Sequence, residues 1–536
     1  MRSTFGGLEI AKRGLFAQQA ALSTTGHNVA NANTKGYSRQ VVNMVASIPI
    51  EYPGLSRSNV PGQMGQGVEF SSITRIREKF LDDQFHNENK NLGEWSIRKD
   101  TLDKVEAIIN EPSDTGIRQT VEGFWNAWQE LSKSPENTTA RVLVKERALA
   151  MTDAFNQTSK QLQDLSTDLT TNIGIKATEA NTAITQIAKL NEDIYRIEGL
   201  GDSANDLRDQ RDLLMDNLSK IVNITHTEDS SGYNVKMGSV QLVSGNQVAS
   251  TLTLDTLQTA AASGDLNSGE VYGIIQSRDN YVANYRFQFD SMLKTMVQGD
   301  VQTTLPKGMV VPNGTTLTIV NADGTTTPQL FSGTIQQRTL ANDLNVSVKG
   351  FNGLHQLGYS GSSPLKSGVP FFTLKQGATD FNASSVTVNP DILSDVSNIS
   401  TSARSYTDPA DGVDKVVKGN NDMALLLAGI RDKKVSFDPT TAGNTVLKDG
   451  TFDEFFRSIV GQLGVQSQEA TRQATNQQTL VDQVDSNRQG VSGVSLDEEM
   501  SNMIKFQKAY SASARVMTTF DEMLDKVINS MGTVGR

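Results

Sequence analysis

The residues best suited to metal chemistry are four histidines that stand far apart in the sequence. They are His27, His86, His226 and His355, and none belongs to a His-Glu-x-x-His pattern. The chain has no Cys, so thiol chemistry, disulfides and Cys-ligated metals are excluded. A zinc or iron site would therefore need carboxylate partners from distant segments. The sequence predicts no metal site and no cofactor.

Patterns for nucleophilic or phosphate chemistry do not occur in the sequence either. There is no Gly-x-Ser-x-Gly turn, no phosphate-binding Gly-x-x-x-x-Gly-Lys-Ser/Thr loop and no Gly-x-Gly-x-x-Gly fingerprint. The glycines between Gly62 and Gly67 have the wrong spacing for that fingerprint, and no helical pattern follows them. We assign no catalytic residue and predict that the chain is not an enzyme.

The densest cluster of ionisable side chains is the run from Asp206 to Asp212, Asp-Leu-Arg-Asp-Gln-Arg-Asp. On a helix, charges at these spacings face solvent or form intrahelical pairs, each worth roughly a few tenths of a kcal/mol. A solvated helix face is the favoured prediction. A network of salt bridges between helices is the alternative.

The overall charge argues against two classes of partner. The chain has 536 residues, a formal net charge of −11 and a pI of about 5.1, which disfavours nucleic acid and anionic membranes. No run of 18 or more apolar residues occurs, and the first 29 residues lack both a continuous apolar core and a small-residue cleavage site. The sequence therefore predicts no membrane insertion and no cleaved signal peptide.

A long amphipathic helix is predicted at the C-terminal end of the chain. From 496 to 530 there is no Gly or Pro, and apolar side chains, many of them Met, follow a seven-residue register that suits adaptable contacts. Ser495 and Glu498 form a capping pair, while Asp497 and Glu499 place negative charge at the helix start. The residues predicted here to pack against other subunits are Leu496, Met500, Met503, Phe506, Tyr510, Met517, Phe520, Leu524 and Ile528.

The N-terminal segment carries a matching pattern. Leu8, Leu15, Leu22 and Val29 also step by seven and are predicted to pack against other subunits. The Asn- and Gly-rich run that follows should end this helix near Ala30. Two heptad segments at opposite ends of the chain predict that the two terminal helices pair with each other. The rest of the chain would then be an insertion between them.

Between the two ends, helical periodicity alternates with strand periodicity. Short strands with Gly- and Asn-rich turns are predicted from 221 to 254, around the Asp323-Gly324 turn, and near 346 and 386. The three tryptophans, Trp95, Trp125 and Trp128, are predicted to lie in cores. The predicted helices are Leu81 to Ile109, Ile117 to Leu131, Thr139 to Glu198, Asn205 to Ile221, Gly273 to Val297, Met423 to Ile430, and one that begins at a Thr451–Glu454 capping box.

These elements predict a multidomain α+β fold. Residues 1–45 and 490–536 form a terminal helical coiled-coil domain in this interpretation, and residues 46–225 and 418–489 form a long helical rod. Residues 226–417 form an inserted, mainly antiparallel β domain, of which 300–350 is a candidate subdomain.

Two stretches of the sequence resemble the bacterial flagellar hook-associated protein 1 family. The first is Ala21 to Gln40, Ala-Leu-Ser-Thr-Thr-Gly-His-Asn-Val-Ala-Asn-Ala-Asn-Thr-Lys-Gly-Tyr-Ser-Arg-Gln, and the second is Gly490 to Met500, Gly-Val-Ser-Gly-Val-Ser-Leu-Asp-Glu-Glu-Met. The Asn-rich turn is similar across the axial proteins of flagella. The Tyr-Ser-Arg-Gln sequence at its end narrows the resemblance to the hook-associated protein 1 family. The motif residues are Asn28, Asn31, Asn33, Gly36, Tyr37, Arg39, Gln40, Ser495, Asp497, Glu498 and Glu499.

Three further segments, Trp125 to Leu131, Asn205 to Leu214 and Asn352 to Phe372, also look like this family. The resemblance implies a non-enzymatic structural subunit, exported unfolded by the flagellar type III system and assembled outside the cell as a homo-oligomeric ring. It implies the hook protein as the proximal partner and hook-associated protein 3 as the distal one. It also implies a cytosolic export chaperone at the C-terminal helix. The alternatives are a filament or hook subunit, and a secreted coiled-coil effector or adhesin.

Overall fold

A computed structural model describes residues 5–48, 65–110, 116–361, 365–437 and 445–529. The chain forms two compact units, one from residues 1–96, 173–273 and 473–536 and the other from residues 97–172 and 274–472. The fold is multidomain α+β, as the sequence predicts, and the strand pairs within the described ranges are antiparallel. The three-part division into terminal helices, rod and β insertion stays a prediction.

Most of the described chain is helical. Among the helices that the structure describes, none is both long and apolar enough to cross a bilayer. A π-helical turn, Ser277–Val282, lies between the seventh and eighth helices. The helices are α1 (Gly6–Asn31), α2 (Lys79–Ile109), α3 (Ile117–Lys133), α4 (Thr138–Glu198), α5 (Asn205–Ile221), α6 (Leu254–Ser263), α7 (Glu270–Gln276), α8 (Ala283–Gln298), α9 (Ile335–Arg338), α10 (Gly350–Gln356), α11 (Pro390–Ser394), α12 (Asp422–Ala428), α13 (Phe452–Ser492) and α14 (Leu496–Asn529).

The strands form small sheets. Strands β3 to β6 form a meander in chain order, whereas in the other four-stranded sheet the order is β7-β10-β8-β9. The strands are β1 (Gln40–Ala46), β2 (Val68–Arg75), β3 (Thr225–Asp229), β4 (Gly232–Met237), β5 (Val240–Ser244), β6 (Gln247–Val248), β7 (Asp300–Leu305), β8 (Thr315–Val320), β9 (Thr326–Phe331), β10 (Leu344–Lys349), β11 (Phe372–Leu374), β12 (Val386–Val388), β13 (Ser405–Thr407), β14 (Asp414–Val416), β15 (Val435–Ser436) and β16 (Asp449–Gly450).

Two local predictions, one capping box and one turn, are confirmed by the local geometry. At the start of α13, the Thr451 amide donates to Glu454 Oε2 at 2.8 Å and the Glu454 amide donates to Thr451 Oγ1 at 3.2 Å, which is the reciprocal capping box. Between β8 and β9 the chain turns at Gly324, whose φ of +81° is a left-handed conformation that glycine adopts without strain.

Two other local predictions are wrong. The strand expected at 252–254 is the start of α6, because the Thr253 and Thr256 side chains each bond the other residue's backbone and cap a helix there. The helix expected from Gly273 to Val297 is divided into α7, the π-helical turn and α8. The range 226–417, predicted as mainly β, therefore alternates strands with helices.

The predicted terminal helix pair is confirmed within a single chain. Helix α1 packs along α14, and the contact is close because α1 presents a stripe of small residues. A side chain at Gly7 would overlap the Phe520 ring, and one at Gly14 would lie 3.0 Å from Ser513 Oγ. The buried residues of α1 are Ala11, Gly14, Ala17, Ala21, Thr24, Thr25 and Asn28.

An aromatic cluster forms the core of the second unit. Trp125 and Trp128 on α3 are buried, as predicted, whereas Trp95 on α2 is only half-buried in the other unit. Phe124 and Trp128 pack against Phe351, with ring centroids 5.3 Å apart in both pairs. The other rings of the cluster are those of Phe371, Phe372 and His355.

His355 is fully enclosed in this cluster and is held as a neutral imidazole. Its Nδ1 lies 2.6 Å from the Val369 carbonyl oxygen, to which it donates, and its Nε2 accepts from the Ser400 amide at 2.9 Å. Burial lowers the pKa of His355 to about 4. Protonation would place a charge in the core and remove the acceptor for Ser400.

We expect the stability of this unit to fall in mild acid because of His355. The unfolded chain takes up the proton near pH 6.5 and the folded chain near 4, so the contribution is complete above pH 6.5 and is lost progressively as the pH falls to 4. The loss should be about 3 kcal/mol. Urea unfolding, followed by tryptophan fluorescence in a Trp95→Phe background, measures it. A His355→Gln variant keeps an acceptor but does not titrate, so its curve should be flatter; parallel curves would contradict the assignment.

Candidate functional site

The end of α1 is joined to α14 through the side chain of Asn28, which is buried. Its Nδ2 donates to the Gln40 carbonyl at 2.9 Å and to Glu499 Oε2 at 3.1 Å. Its Oδ1 accepts from the Gln40 amide at 3.0 Å and from the Tyr37 hydroxyl at 2.8 Å. One amide group therefore connects α1, the start of β1 and the start of α14. We call Asn28, Tyr37, Arg39, Gln40 and Glu499 the Asn28 hub.

Arg39 supplies the positive charge that balances the buried carboxylate of Glu499 in the hub. Its Nε donates to Glu499 Oε1 at 2.7 Å, and one terminal nitrogen lies 2.8 Å from Glu498 Oε2. The Arg39 amide donates to the Ser492 carbonyl at 2.8 Å. The Glu499 side chain is only 3 % exposed, and a carboxylate so buried needs a partner of this kind.

The turn between α1 and β1 places the hub residues. Gly36 has a φ of +82°, and a Cβ there would lie 3.0 Å from the Leu213 Cβ, so both the backbone conformation and the close approach require glycine. Tyr37 follows directly, and burial, with the nearby carboxylates of Asp206 and Asp209, raises its pKa above the ordinary value. Tyr37 therefore remains a hydrogen-bond donor to Asn28 throughout the neutral range.

A second cluster of charges lies beside the hub and is connected to it by Ser38. The Ser38 amide donates to Asp209 Oδ2 at 2.8 Å. Arg75 lies 2.8 Å from Asp209 and 2.6 Å from Asp212, and Arg77 pairs with Asp82 at 2.7 Å. We call this set, together with Asp216 and Arg488, the charge network.

Arg488 brings α13 into the charge network. It lies 2.7 Å from Asp216, and its guanidinium carbon is 4.0 Å from the centre of the Phe85 ring. Asp216 also bonds His86 Nε2 at 3.0 Å. Burial would raise the pKa of Asp216, but the bond to His86 and the charge of Arg488 hold that pKa below its ordinary value.

Asp212 is held ionised in the same way. Burial opposes the charge, but Arg77, Arg75 and Arg211 lower the pKa of Asp212. Arg211 is fully buried, and its guanidinium carbon lies 3.4 Å from the centre of the Tyr233 ring. The Tyr233 hydroxyl donates to Asp212 at 2.9 Å.

The prediction of a solvated face for Asp206 to Asp212 is wrong for most of that run. Asp209, Arg211 and Asp212 are buried and Arg208 is half-buried, whereas Asp206 and Gln210 are exposed. The salt-bridge network is the correct alternative, because cations from β2 and α13 cover this face of α5. The signal was present in the sequence: Asp209, Asp212 and Asp216 follow the three- and four-residue spacing of one helix face.

The other motif residues have supporting positions. Asn31 Nδ2 donates to the His27 carbonyl at 3.1 Å, and Asn33 and Asp497 are exposed. The Ser495 carbonyl accepts from the Glu499 amide at 2.9 Å in the first turn of α14. Of the three asparagines in the motif, Asn28 is therefore buried, Asn31 is half-buried and Asn33 is exposed.

The residues predicted to pack between subunits fall into two groups in the structure. One group is half-buried on α1 and α14, and the other is exposed on α14. The half-buried group is Leu8, Leu15, Leu22, Val29, Met503, Phe506, Met517, Phe520 and Leu524, and the exposed group is Leu496, Met500, Tyr510 and Ile528.

Comparison with known proteins matches both ends and the middle of the chain to flagellar families. The family model for the helical domain of flagellar hook-associated protein FlgK matches residues 102–315. A model for the C-terminal part of flagellar basal body rod FlgEFG proteins matches residues 475–531, and one for flagella basal body rod proteins matches residues 8–37.

Flagellar hook-associated protein 1 of Bacillus subtilis (strain 168) is 34% identical over 545 residues, covering 100% of this chain and 100% of that protein. The chain belongs to the flagellar hook-associated protein 1 family. The Escherichia coli (strain K12) member is 26% identical, with 97% of this chain and 98% of that protein covered. A solved structure of the flagellar hook junction protein FlgK from Burkholderia pseudomallei is 14% identical, with 76% of this chain and 100% of that chain covered and a TM-score of 0.46.

The two segments that match basal body rod proteins are the segments that the hub joins. Asn28 lies within residues 8–37, while Arg488 and Glu499 lie within residues 475–531. The arrangement of amides and ion pairs clamps these segments together. We therefore assign the Asn28 hub a structural role: it holds the terminal helix pair together.

We expect Asn28→Ala to destabilise this unit by about 2 to 4 kcal/mol, because the Gln40 backbone and Glu499 would be left buried with bonds unmade. Urea unfolding and amide exchange at Gln40 measure the loss. Asn33→Ala, an equivalent change at an exposed asparagine of the same motif, should cost less than about 0.5 kcal/mol. Equal effects of the two changes would contradict the role given to Asn28.

Proposed function

We propose that this chain is a structural, non-enzymatic subunit of the bacterial flagellum that joins the hook to the filament. Membership of the hook-associated protein 1 family supports this function. The observation that carries it is the set of large apolar side chains left in solvent on the terminal helix pair. Such exposure in a single chain marks a surface for further packing. These side chains include Phe16, Met500, Ile504, Met523, Val527 and Ile528, each between 54% and 70% exposed.

In this proposal the exposed sides of α1 and α14 meet the same helices of neighbouring copies and form a closed ring. Closed rings are generated when one patch meets a different patch of the next copy and the rotation closes. The hook protein would lie on the proximal side of the ring and hook-associated protein 3 on the distal side. The matches of residues 8–37 and 475–531 to models of basal body rod proteins support this, because most of α1 and the whole of α14 lie within the matched segments.

We expect Met500→Asp with Ile504→Asp to abolish filament attachment. Both side chains are 57% exposed and lie one helical turn apart, so the free monomer should fold and be exported normally. Burying each at an interface is worth roughly 1.5 to 3 kcal/mol, and an aspartate there would instead bury an unpaired charge. Motility, attached filaments and flagellin in the medium are the measurements.

The matched control is Ser501→Asp with Ser511→Asp, which adds the same two charges at exposed polar positions of α14. The control strain should swim and the Met500/Ile504 strain should shed flagellin. A motile Met500/Ile504 strain, with the variant protein present in its flagella, would move the assembly surface away from α14 and contradict the proposal.

The proposal includes an export step before assembly. The exposed apolar face of α14 would be covered in the cytosol by an export chaperone, since Met-rich faces suit exchangeable partners. The C-terminal part of this face has some of its most exposed members, with Met523 at 57% and Ile528 at 70%.

We expect Met523→Asp with Val527→Asp to weaken binding of the flagellar export chaperone of the same organism by at least about tenfold, in line with two lost apolar contacts. Isothermal titration of purified chain into chaperone measures the affinity. Thr518→Asp with Thr519→Asp is the matched control, because both threonines are exposed on the same helix. If a chain without residues 496–536 still binds with unchanged affinity, the chaperone site lies elsewhere.

A further inference from the structure

Two histidines and an aspartate that are distant in sequence meet beside the charge network. Asp83 and His86 are three positions apart on α2 and so share one face of that helix. His226 is the second residue of β3. The nitrogen and oxygen atoms that these three side chains could offer to a metal ion all lie within 4.8 Å of one another.

The spacing of these atoms is wider than in an occupied metal centre, by an amount that side-chain rotation can reduce. His226 Nδ1 lies 3.8 Å from Asp83 Oδ1, and the two imidazole rings have their centres 5.7 Å apart at 74°. Ligands about 2.0 to 2.2 Å from a tetrahedral ion are about 3.4 Å apart. The Asp83 side chain is 48% exposed. Its rotation can bring the carboxylate part of the way to the distance that a bound ion requires.

The histidine rings are already held by neighbours. His86 is buried, and its Nε2 lies 3.0 Å from Asp216 Oδ1. A carboxylate bonded to one ring nitrogen is the usual support for a histidine whose other nitrogen binds a metal. The His226 ring packs at 4.8 Å against Tyr233, which is fixed in turn by its bond to Asp212.

Charges of both signs surround the two histidines, and they are close to balanced. A cavity of about 130 Å³ adjoins both histidines, and its lining includes the cations Arg75, Arg77 and Lys79. The anions Asp82, Asp212 and Glu228 in the same lining balance these charges. Asp216 is itself paired with Arg488 at 2.7 Å, so Asp83 is the carboxylate of the cluster that can bind an ion together with the two imidazoles.

We propose that Asp83, His86 and His226 bind one divalent transition-metal ion, for which Zn²⁺ has the most suitable chemistry. Two imidazoles and one carboxylate form a common zinc ligand set, with water in the remaining position. The ion would cross-link α2 to β3. It would bind only after folding, because His86 and His226 lie in separate segments of the chain and a site of this kind does not exist in the unfolded state.

The test uses the purified full-length chain after treatment with EDTA. Titration with ZnCl₂ should show one equivalent bound, and Co²⁺ should give visible absorption bands of a four- or five-coordinate site. The ring proton signals of His86 and His226 should shift on Zn²⁺ addition. The melting temperature should also rise with Zn²⁺, because a ligand that binds only the folded state stabilises it.

The variants His226→Gln and Asp83→Asn should each bind Zn²⁺ at least tenfold more weakly and lose the cobalt bands. His27→Gln is the matched control, since His27 belongs to the same unit and pairs with a different carboxylate, Asp206. Circular dichroism in EDTA should be the same for all variants. The proposal is overturned if the wild-type chain binds Zn²⁺ no tighter than about millimolar, or if His27→Gln weakens binding as much as His226→Gln.

Discussion

The contact on which the rest of the structure depends is the one between Asn28 and Glu499, residues that are 471 positions apart. The first and last helices can pair only if everything between them returns to the same place. Asn28 makes that return specific, because its donors and acceptors are all used by Tyr37, Gln40 and Glu499. An apolar residue at position 28 could pack in the same space, but it would not fix how α1 is aligned with the starts of β1 and α14.

The charge network adds a second constraint of the same kind. Buried ion pairs contribute little net stability against apolar residues of the same shape, but the loss of one partner leaves a buried charge unmatched. Arg75 and Asp212 illustrate this, since each is nearly buried and they lie 2.6 Å apart. The network therefore works against alternative packings of α5, β2 and α13 more than it increases the free energy of unfolding.

The sequence was sufficient to predict helices that have a regular apolar face. It was not sufficient to predict contacts between segments that are far apart in the chain. The helices from Ile117, Thr138 and Leu496 were predictable because each has a regular apolar face, and the capping box at Thr451 is local. The helix at 254–263 was missed because its cap is an unusual Thr–Thr pair.

The site was harder to predict than the helices. The motif residues Arg39 and Glu499 could be identified as a family signature, but nothing in either segment indicated that they pair. The burial of Asp209 and Asp212 was missed because it depends on Arg75, more than 130 positions earlier in the chain. For the same reason His86 and His226 look isolated in the sequence.

Small residues line the buried side of α1, whereas larger side chains project from α14. The buried residues of α1 other than Asn28 are Ala, Gly and Thr, and Gly7 and Gly14 let side chains of α14, such as Phe520, approach the backbone. Close packing of this kind fastens the two helices while covering only part of their apolar surface. Phe16 on α1 and Met500 and Ile504 on α14 remain exposed as a result. A pair built in this way is held together by its polar hub and leaves large apolar side chains on its surface, which are the ones that the proposed assembly contacts would use.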